Sequence, residues 1–150
     1  MLSTELFKTI PIRYLGYGMA VGECLKFVAS RDVVNACYVT QSVYCLSHMT
    51  CVFATNTDFL MTIKTILWDA FASSLFPTLI AFHVTELTHQ YLGELGADKQ
   101  LRRVASCLVG LSLCLDIQKP IDRMVGDALD VVFEAALAFG AKCMEISTTK

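Results

Sequence analysis

Three glycines near the N-terminus have a spacing that could bind phosphate. Gly16, Gly18 and Gly22 lie in the stretch IRYLGYGMAVGE, and a G-x-G-x-x-G sequence holds a dinucleotide pyrophosphate when it follows a strand and begins a helix. Here the third glycine comes one position late, no strand pattern precedes it, and no Walker GK[ST] occurs. We therefore expect Gly18 and Gly22, four residues apart, to form a strip that another backbone approaches closely. The alternative is a loose N-terminal helix broken by glycine.

Asp69 is an ionisable residue inside a predicted membrane span, and we single it out as the intramembrane polar candidate for a functional role. A carboxylate inside a membrane span usually belongs to an ion pathway or to a buried pair. One acid without a relay moves no proton, so we favour a carboxylate at the helix end that reaches water or pairs with Lys64, five residues earlier. The alternative hypothesis pairs Asp69 with a basic group on another helix of the bundle.

The remaining chemically capable residues form no recognisable site. His48, His83 and His89 lie on different segments without a cysteine or carboxylate at ligand spacing, and the seven cysteines include no CxxC pair. Ser73 and Ser74 lie in no G-x-S-x-G sequence. The sequence thus predicts a protein that is not an enzyme, with no catalytic residue, no metal site and no cofactor. We expect His48 at a helix–helix contact, His83 near the membrane edge and His89 in a loop.

The composition is typical of a membrane protein. Of the 150 residues 17% are charged, against roughly 25% in a typical soluble domain, and the mean hydropathy is +0.54. The formal net charge of −2 offers no basic surface for nucleic acid. We expect a single domain over residues 1–150 whose surroundings are the lipid bilayer and other membrane proteins, with no nucleic acid and no small-molecule substrate.

Two apolar runs predict helices that cross the bilayer. Residues 33–57 contain no Lys, Arg, Asp or Glu, and about 20 helical residues cross a hydrocarbon core of roughly 30 Å. Several of these residues are polar, so we expect their face to be buried against protein. The second run, residues 65–85, contains Pro77, which lacks a backbone donor and predicts a kink. No alternating strand pattern occurs, so the predicted fold class is all-α, an integral membrane helical protein.

Three further segments complete the predicted domain. The apolar helix 104–118 has only 12 residues before Asp116, too few to cross alone, so two to three transmembrane helices are expected. Residues 1–32 and 120–141 are predicted as terminal amphipathic segments, the second beginning with Pro120 in its first turn. An acidic ribbon on that last helix favours a partner or the aqueous edge over anionic headgroups. The ribbon consists of Asp127, Asp130 and Glu134.

Three short blocks occur in a fixed order within about residues 12 to 138. They are RYLGY with a following VGE, then Trp68 with Ala70, Ala72, Ser73 and Pro77, and then PIDR. Together these blocks resemble the mitochondrial fission process protein family. Each block alone has little specificity, whereas three at the expected separations are fairly specific. The matching positions are Arg13, Tyr14, Gly16, Tyr17, Gly22, Glu23, Trp68, Pro77, Pro120, Asp122 and Arg123.

The resemblance implies a small, non-catalytic, multi-pass protein of the mitochondrial inner membrane, linked to mitochondrial division and to the integrity of that membrane. Its partners would be the bilayer and other inner-membrane proteins. The residues alone leave two interpretations of Arg123, which either pairs with Asp127 one turn later or reaches an acid of a partner.

A second function remains open from the sequence. The chain could be a structural accessory subunit of a large inner-membrane assembly, such as a respiratory complex or the ATP synthase, because its spans are unusually polar and the third is short. A small carrier or channel would require more intramembrane ionisable groups than Asp69 alone.

Overall fold

Every regular element of the described chain is helical. The computed structural model describes Phe7, residues 12–55 and residues 59–148, with side chains as far as residue 139. No strand occurs within these ranges, which confirms the all-α fold class. The predicted positions 1–6, 8–11 and 56–57 lie outside the described residues. The elements are α1 (Ile12–Leu15), α2 (Gly18–Leu25), α3 (Arg31–Thr55), α4 (Phe59–Trp68), a π-helix (Asp69–Leu75), α5 (Phe76–Glu94) and α6 (Lys99–Thr148).

The helices α5 and α6 form an antiparallel hairpin, and the other helices pack against it. The connection between them turns at Gly96, whose φ of 75° is the left-handed conformation that glycine adopts after a helix end. Thr85 lies against Gly110 near that turn, and Lys64 of α4 forms an ion pair with Asp130 of α6 at the far end. The helix α2 packs against α3, α5 and α6, so the N-terminal segment lies along the hairpin.

The chain departs from α-helical geometry next to Pro77, where the sequence predicts a kink. The seven residues from Asp69 to Leu75 form a π-helix, and Pro77 lies in the first turn of α5. Because proline has no N–H, the carbonyl of Ser73 loses its α-helical donor. The side-chain amide of Gln41 donates to that carbonyl at 3.3 Å. An amide from α3 thus satisfies the group that the proline leaves free.

One prediction about the C-terminal half is wrong. The segments 104–118 and 120–141 are not separate helices, because α6 continues through Pro120 for 50 residues. Pro120 and the preceding turn at Asp116 are exposed, so the carbonyl left without a donor is not buried in the protein. Packing of α6 along α4, the π-helix and α5 holds both halves in line. At 1.5 Å per residue the helix is about 75 Å long.

The structure also changes which segments are candidates for membrane spans. In the described part of the chain, two helices are long and apolar enough to cross a membrane, Phe59–Glu94 and Lys99–Phe139. The apolar run 104–118, which was too short to cross by itself, is therefore part of the second of these helices. The run 33–57, expected as a span, forms α3, which does not reach the same hydropathy because its polar residues lower the mean.

The distribution of polar and apolar residues nevertheless fits a lipid environment for α3 as well. Its outward face carries Val39, Leu46 and Phe53, each more than 60% exposed. Its inward face carries Gln41 and His48, each at most 1% exposed. A soluble protein places such residues the other way round, whereas a membrane protein turns polar groups inward. The predicted burial of the polar residues is confirmed for Gln41 and His48. It is wrong for Asn35, Ser42 and Ser47, which are exposed on the other faces of α3.

Candidate functional site

A buried arginine lies at the centre of the most polar part of the bundle. Arg13 belongs to α1, and its residue surface is fully buried. Its Nη2 donates to Asp122 Oδ1 at 2.5 Å and its Nε donates to Asp122 Oδ2 at 3.1 Å. This is the two-pronged geometry in which a planar guanidinium matches a carboxylate best. The pair joins residues 109 positions apart in the sequence.

Three other elements complete the coordination of this guanidinium. Its Nη1 donates to Ser73 Oγ of the π-helix at 2.6 Å and approaches the Tyr44 hydroxyl of α3 at 3.5 Å. Its central carbon lies 4.5 Å from the ring centre of Trp68 and 5.1 Å from that of Tyr17. Aromatic faces stabilise a cation when water is excluded. We call these six residues, Arg13, Tyr17, Tyr44, Trp68, Ser73 and Asp122, the Arg13 cluster.

The Gln41 side chain forms a second connection beside the Arg13 cluster. Its Oε1 accepts from the backbone N–H of Met19 at 2.5 Å. Its Nε2 donates to Ser74 Oγ at 2.7 Å as well as to the Ser73 carbonyl. One amide therefore links α2, α3 and the π-helix. In a bundle surrounded by lipid, such links hold helices together by polar bonds rather than by hydrophobic exclusion.

Asp69 pairs with a histidine rather than with the lysine that the sequence favoured. Its Oδ2 lies 2.8 Å from Nδ1 of His48, and both side chains are 1% exposed. Lys64 instead pairs with Asp130, so the interpretation of Asp69 as a water-exposed partner of Lys64 is wrong. The expected role of His48 as a helix–helix contact is confirmed. Within the described residues, Asp69 Oδ1 and His48 Nε2 have no hydrogen-bond partner.

The glycine cluster packs helices closely, as expected. A Cβ added at Gly18 would overlap the Cys37 carbonyl oxygen of α3, and one added at Gly22 would lie 2.6 Å from the Tyr38 ring. Gly16 is similarly close to the Tyr44 ring, at 2.8 Å. The absence of a side chain at these positions is what lets α2 approach α3.

The positions that carry the family resemblance lie at several places in the structure. Four of them, Arg13, Tyr17, Trp68 and Asp122, form most of the Arg13 cluster. Pro77 frees the carbonyl that Gln41 binds, and Gly16 and Gly22 contact α3. Glu23 accepts from the Tyr38 hydroxyl at 2.8 Å and pairs with Lys26 at 3.3 Å. Tyr14 is half-buried, whereas Pro120 and Arg123 are exposed on α6 and take no part in the cluster.

Three residues of this polar interior, Gln41, Tyr44 and Ser73, were not among the predicted site positions. Gln41, Tyr44 and His48 recur every three to four residues in the charge-free part of α3, a spacing that places them on one face. That spacing was the available signal. The prediction for His89 is wrong, since it lies within α5 and its ring stacks on Phe27 at 4.5 Å.

The contacts of this interior join helices to one another. The guanidinium contacts one carboxylate, two hydroxyls and two rings, all within the bundle. Among the described residues, no group of three His, Cys, Asp or Glu side chains could hold a metal ion. The arrangement can fix the relative positions of α1, α3, the π-helix and α6.

Comparison with known proteins gives one informative match. The chain is 28% identical over 146 residues to a protein of Caenorhabditis elegans named Mitochondrial fission process protein 1, and the alignment covers 87% of each chain. The resemblance is thus confirmed. No family model matches the chain, and no solved structure matches it. The likeness extends over nearly the whole helical bundle, not only over one block.

Proposed function

We propose that this protein is a non-catalytic, multi-pass protein of the mitochondrial inner membrane that takes part in mitochondrial division and in maintaining that membrane. The process comes from the name of the relative, which is similar over 87% of its length. The inner-membrane location is what the family resemblance implies. The observation that carries the proposal is that positions from all three motif blocks have roles in one interior. Arg13, Trp68 and Asp122 come from different blocks and meet at a single guanidinium.

The proposed mechanism is helix packing within the bilayer and contact with other proteins outside the bundle. The Arg13 cluster holds α6 in a fixed position relative to α1 and α3. At about 75 Å, α6 is far longer than a hydrocarbon core of about 30 Å, so part of it extends beyond the core. This helix carries the exposed charges of Asp116, Lys119 and Arg123, which a partner or the membrane surface would cover.

The same exposed charges favour a second candidate function. A structural subunit of a respiratory complex or of the ATP synthase would bury them against neighbouring subunits. Both candidates make the protein a binding component without a reaction of its own. They differ in the size and stoichiometry of the assembly that contains it.

Depletion and native electrophoresis separate the two candidates. In cells of the source organism depleted of the protein, we expect elongated mitochondria and a low-mass species of the tagged protein on native gels after mild detergent. Re-expression of the wild type and of Gly126→Ala, whose added Cβ meets no atom within 4 Å, should restore shape, whereas Arg13→Gln should not. A stoichiometric band with a respiratory assembly, and unchanged mitochondrial shape, would instead select the subunit function. Extraction of the protein by carbonate would contradict both.

A further inference from the structure

A groove lies at the end of the bundle where α5 turns into α6. Its volume is about 470 Å³, within the range of roughly 300–1,000 Å³ typical of ligand sites. Its apolar lining, which we call the apolar wall, consists of Phe27 and Val28 after α2 and Val104 of α6. Its basic lining, which we call the cationic wall, consists of Lys99 and Arg103 from the first turns of the same helix, and Asp98 also lines the groove. The groove is therefore amphipathic, with a cationic side and an apolar side.

The two basic side chains of this groove have no acidic partner. Lys99 and Arg103 are exposed, lie one helical turn apart, and make no ion pair within the described part of the chain. The nearby carboxylate of Asp98 accepts the backbone N–H of Gln100 at 3.0 Å, so it caps α6. The neighbouring Arg102 packs beside Gly93 instead. The basic side chains of the cationic wall thus line the groove without forming an ion pair in the described part of the chain.

The charges closest along the chain on the apolar wall are already paired. Lys26, next to Phe27, contacts Glu23 at 3.3 Å and Glu86 at 3.6 Å. The charged residues that line the groove are therefore Lys99, Arg103 and Asp98, two cations and one carboxylate. The groove has a net positive charge and the positive end of the α6 dipole beside it.

The groove also lies beside the turn between the two helices that are long and apolar enough to cross a membrane. One of these helices ends at Glu94 and the other begins at Lys99. Tyr91, 63% exposed, lies close to the end of the first span, as aromatic residues do at membrane interfaces. Beyond Val104, the 61% exposed Leu108 continues the apolar surface of α6. A bound molecule would thus have a polar end beside the cations and an apolar end beside α6.

We propose that this groove binds an anionic phospholipid, with the phosphate against Lys99 and Arg103 and an acyl chain along Val104 and Leu108. Basic grooves beside membrane helices bind phospholipid headgroups, and arginine matches phosphate oxygens in two-pronged hydrogen bonds. A soluble phosphate would use the cationic wall alone and leave the apolar wall bare. The proposal does not depend on the function proposed above.

The chain offers a closely matched control. Lys119 and Arg123 are also a lysine and an arginine four residues apart, exposed on the same helix. They do not line this groove. The double variants Lys99→Gln with Arg103→Gln and Lys119→Gln with Arg123→Gln remove the same charge, so they differ only in position.

The test measures lipid affinity of the full-length chain in uncharged detergent micelles. Native mass spectrometry would titrate phosphatidylglycerol, with phosphatidylcholine as the zwitterionic comparison. Each basic residue near a lipid surface is worth roughly a fivefold change in affinity, so the groove variant should bind phosphatidylglycerol about 30-fold more weakly. The control variant should change by less than about threefold. Thermal unfolding checks that both variants are folded.

Several results would overturn the proposal. One is an equal loss in both double variants, or no loss in either. Another is tighter binding of phosphatidylcholine, and a third is displacement by millimolar inorganic phosphate, which would identify a soluble anion site. If the groove variant fails to fold, Arg103→Gln alone replaces it, with an expected loss of about fivefold. Retained affinity in that folded variant would be equally negative.

Discussion

Replacing Asp122 by asparagine tests whether the Arg13 cluster holds the bundle together. The substitution keeps the shape of the side chain but leaves the guanidinium of Arg13, itself fully buried, without its counter-charge. Removing one partner of a buried ion pair costs about 3–5 kcal/mol. Because the Asp122 side chain is 25% exposed, water can partly compensate, and we expect the lower end, about 3 kcal/mol.

The expected loss is large compared with a typical free energy of unfolding of about 5–15 kcal/mol. For a chain of this length it corresponds to a fall of about 6–12 °C in the unfolding midpoint. The midpoint would be measured by circular dichroism in micelles of a mild detergent, at equal protein concentration. Asp127→Asn, an exposed acid on the same helix, is the matched control and should change stability by less than about 0.5 kcal/mol.

A double variant separates the unpaired charge from the lost contact. Arg13→Met combined with Asp122→Leu removes both charges, and replacing a buried pair by apolar residues is often close to neutral. It should therefore be more stable than Asp122→Asn alone. The reasoning is refuted if Asp122→Asn unfolds at the same temperature as the wild type and Asp127→Asn, because the carboxylate would then contribute nothing to the cluster.

Three further substitutions test the helix contacts. Gly18→Ala should lower the unfolding midpoint, because its Cβ would overlap the Cys37 carbonyl; Gly126→Ala, which meets no atom within 4 Å, should be neutral or stabilise by up to about 1 kcal/mol. Asp69→Asn should reduce thermal stability by about 1–3 kcal/mol, since it weakens the buried contact with His48; a midpoint equal to that of wild type would exclude a structural role for the pair. Gln41→Leu should cost about 1–3 kcal/mol, measured in the same melts, because it leaves the Ser73 carbonyl and the Met19 N–H without partners; unchanged stability would show that both groups find other donors or acceptors.

The sequence predicted most where a local rule decides the structure. The packing role of Gly18 and Gly22 followed from their spacing, and the irregularity beside Pro77 followed from its missing N–H. The helix start expected at Pro120 did not occur, because α6 continues through it. The difference is tertiary, since Cys114 before Pro120 and Ile121 after it are both buried in core clusters with other helices. The helix propensity of proline does not predict at which of two prolines the packing of the molecule keeps the helix continuous.

The sequence predicted several residues of the candidate site, but it did not predict which of them contact one another. Motif matching selected Arg13, Trp68 and Asp122, yet nothing in it indicated that they share one contact. It also selected Pro120 and Arg123, which lie outside the cluster. Asp69 was recognised as unusual, but its partner was assigned to the nearest lysine in sequence, because the distance between helices is not available from spacing along one helix.

By itself, the sequence determined the class of structure. Few charges, long apolar runs and the absence of strand alternation favour helices suited to lipid. The exposure of Val39, Leu46 and Phe53 on α3 is known only from the structure. Only the tertiary structure decided which polar groups meet. Arg13 and Asp122 are 109 positions apart, and a buried charge selects its partner by the complete set of donors and acceptors around it, which exists only once the helices have packed.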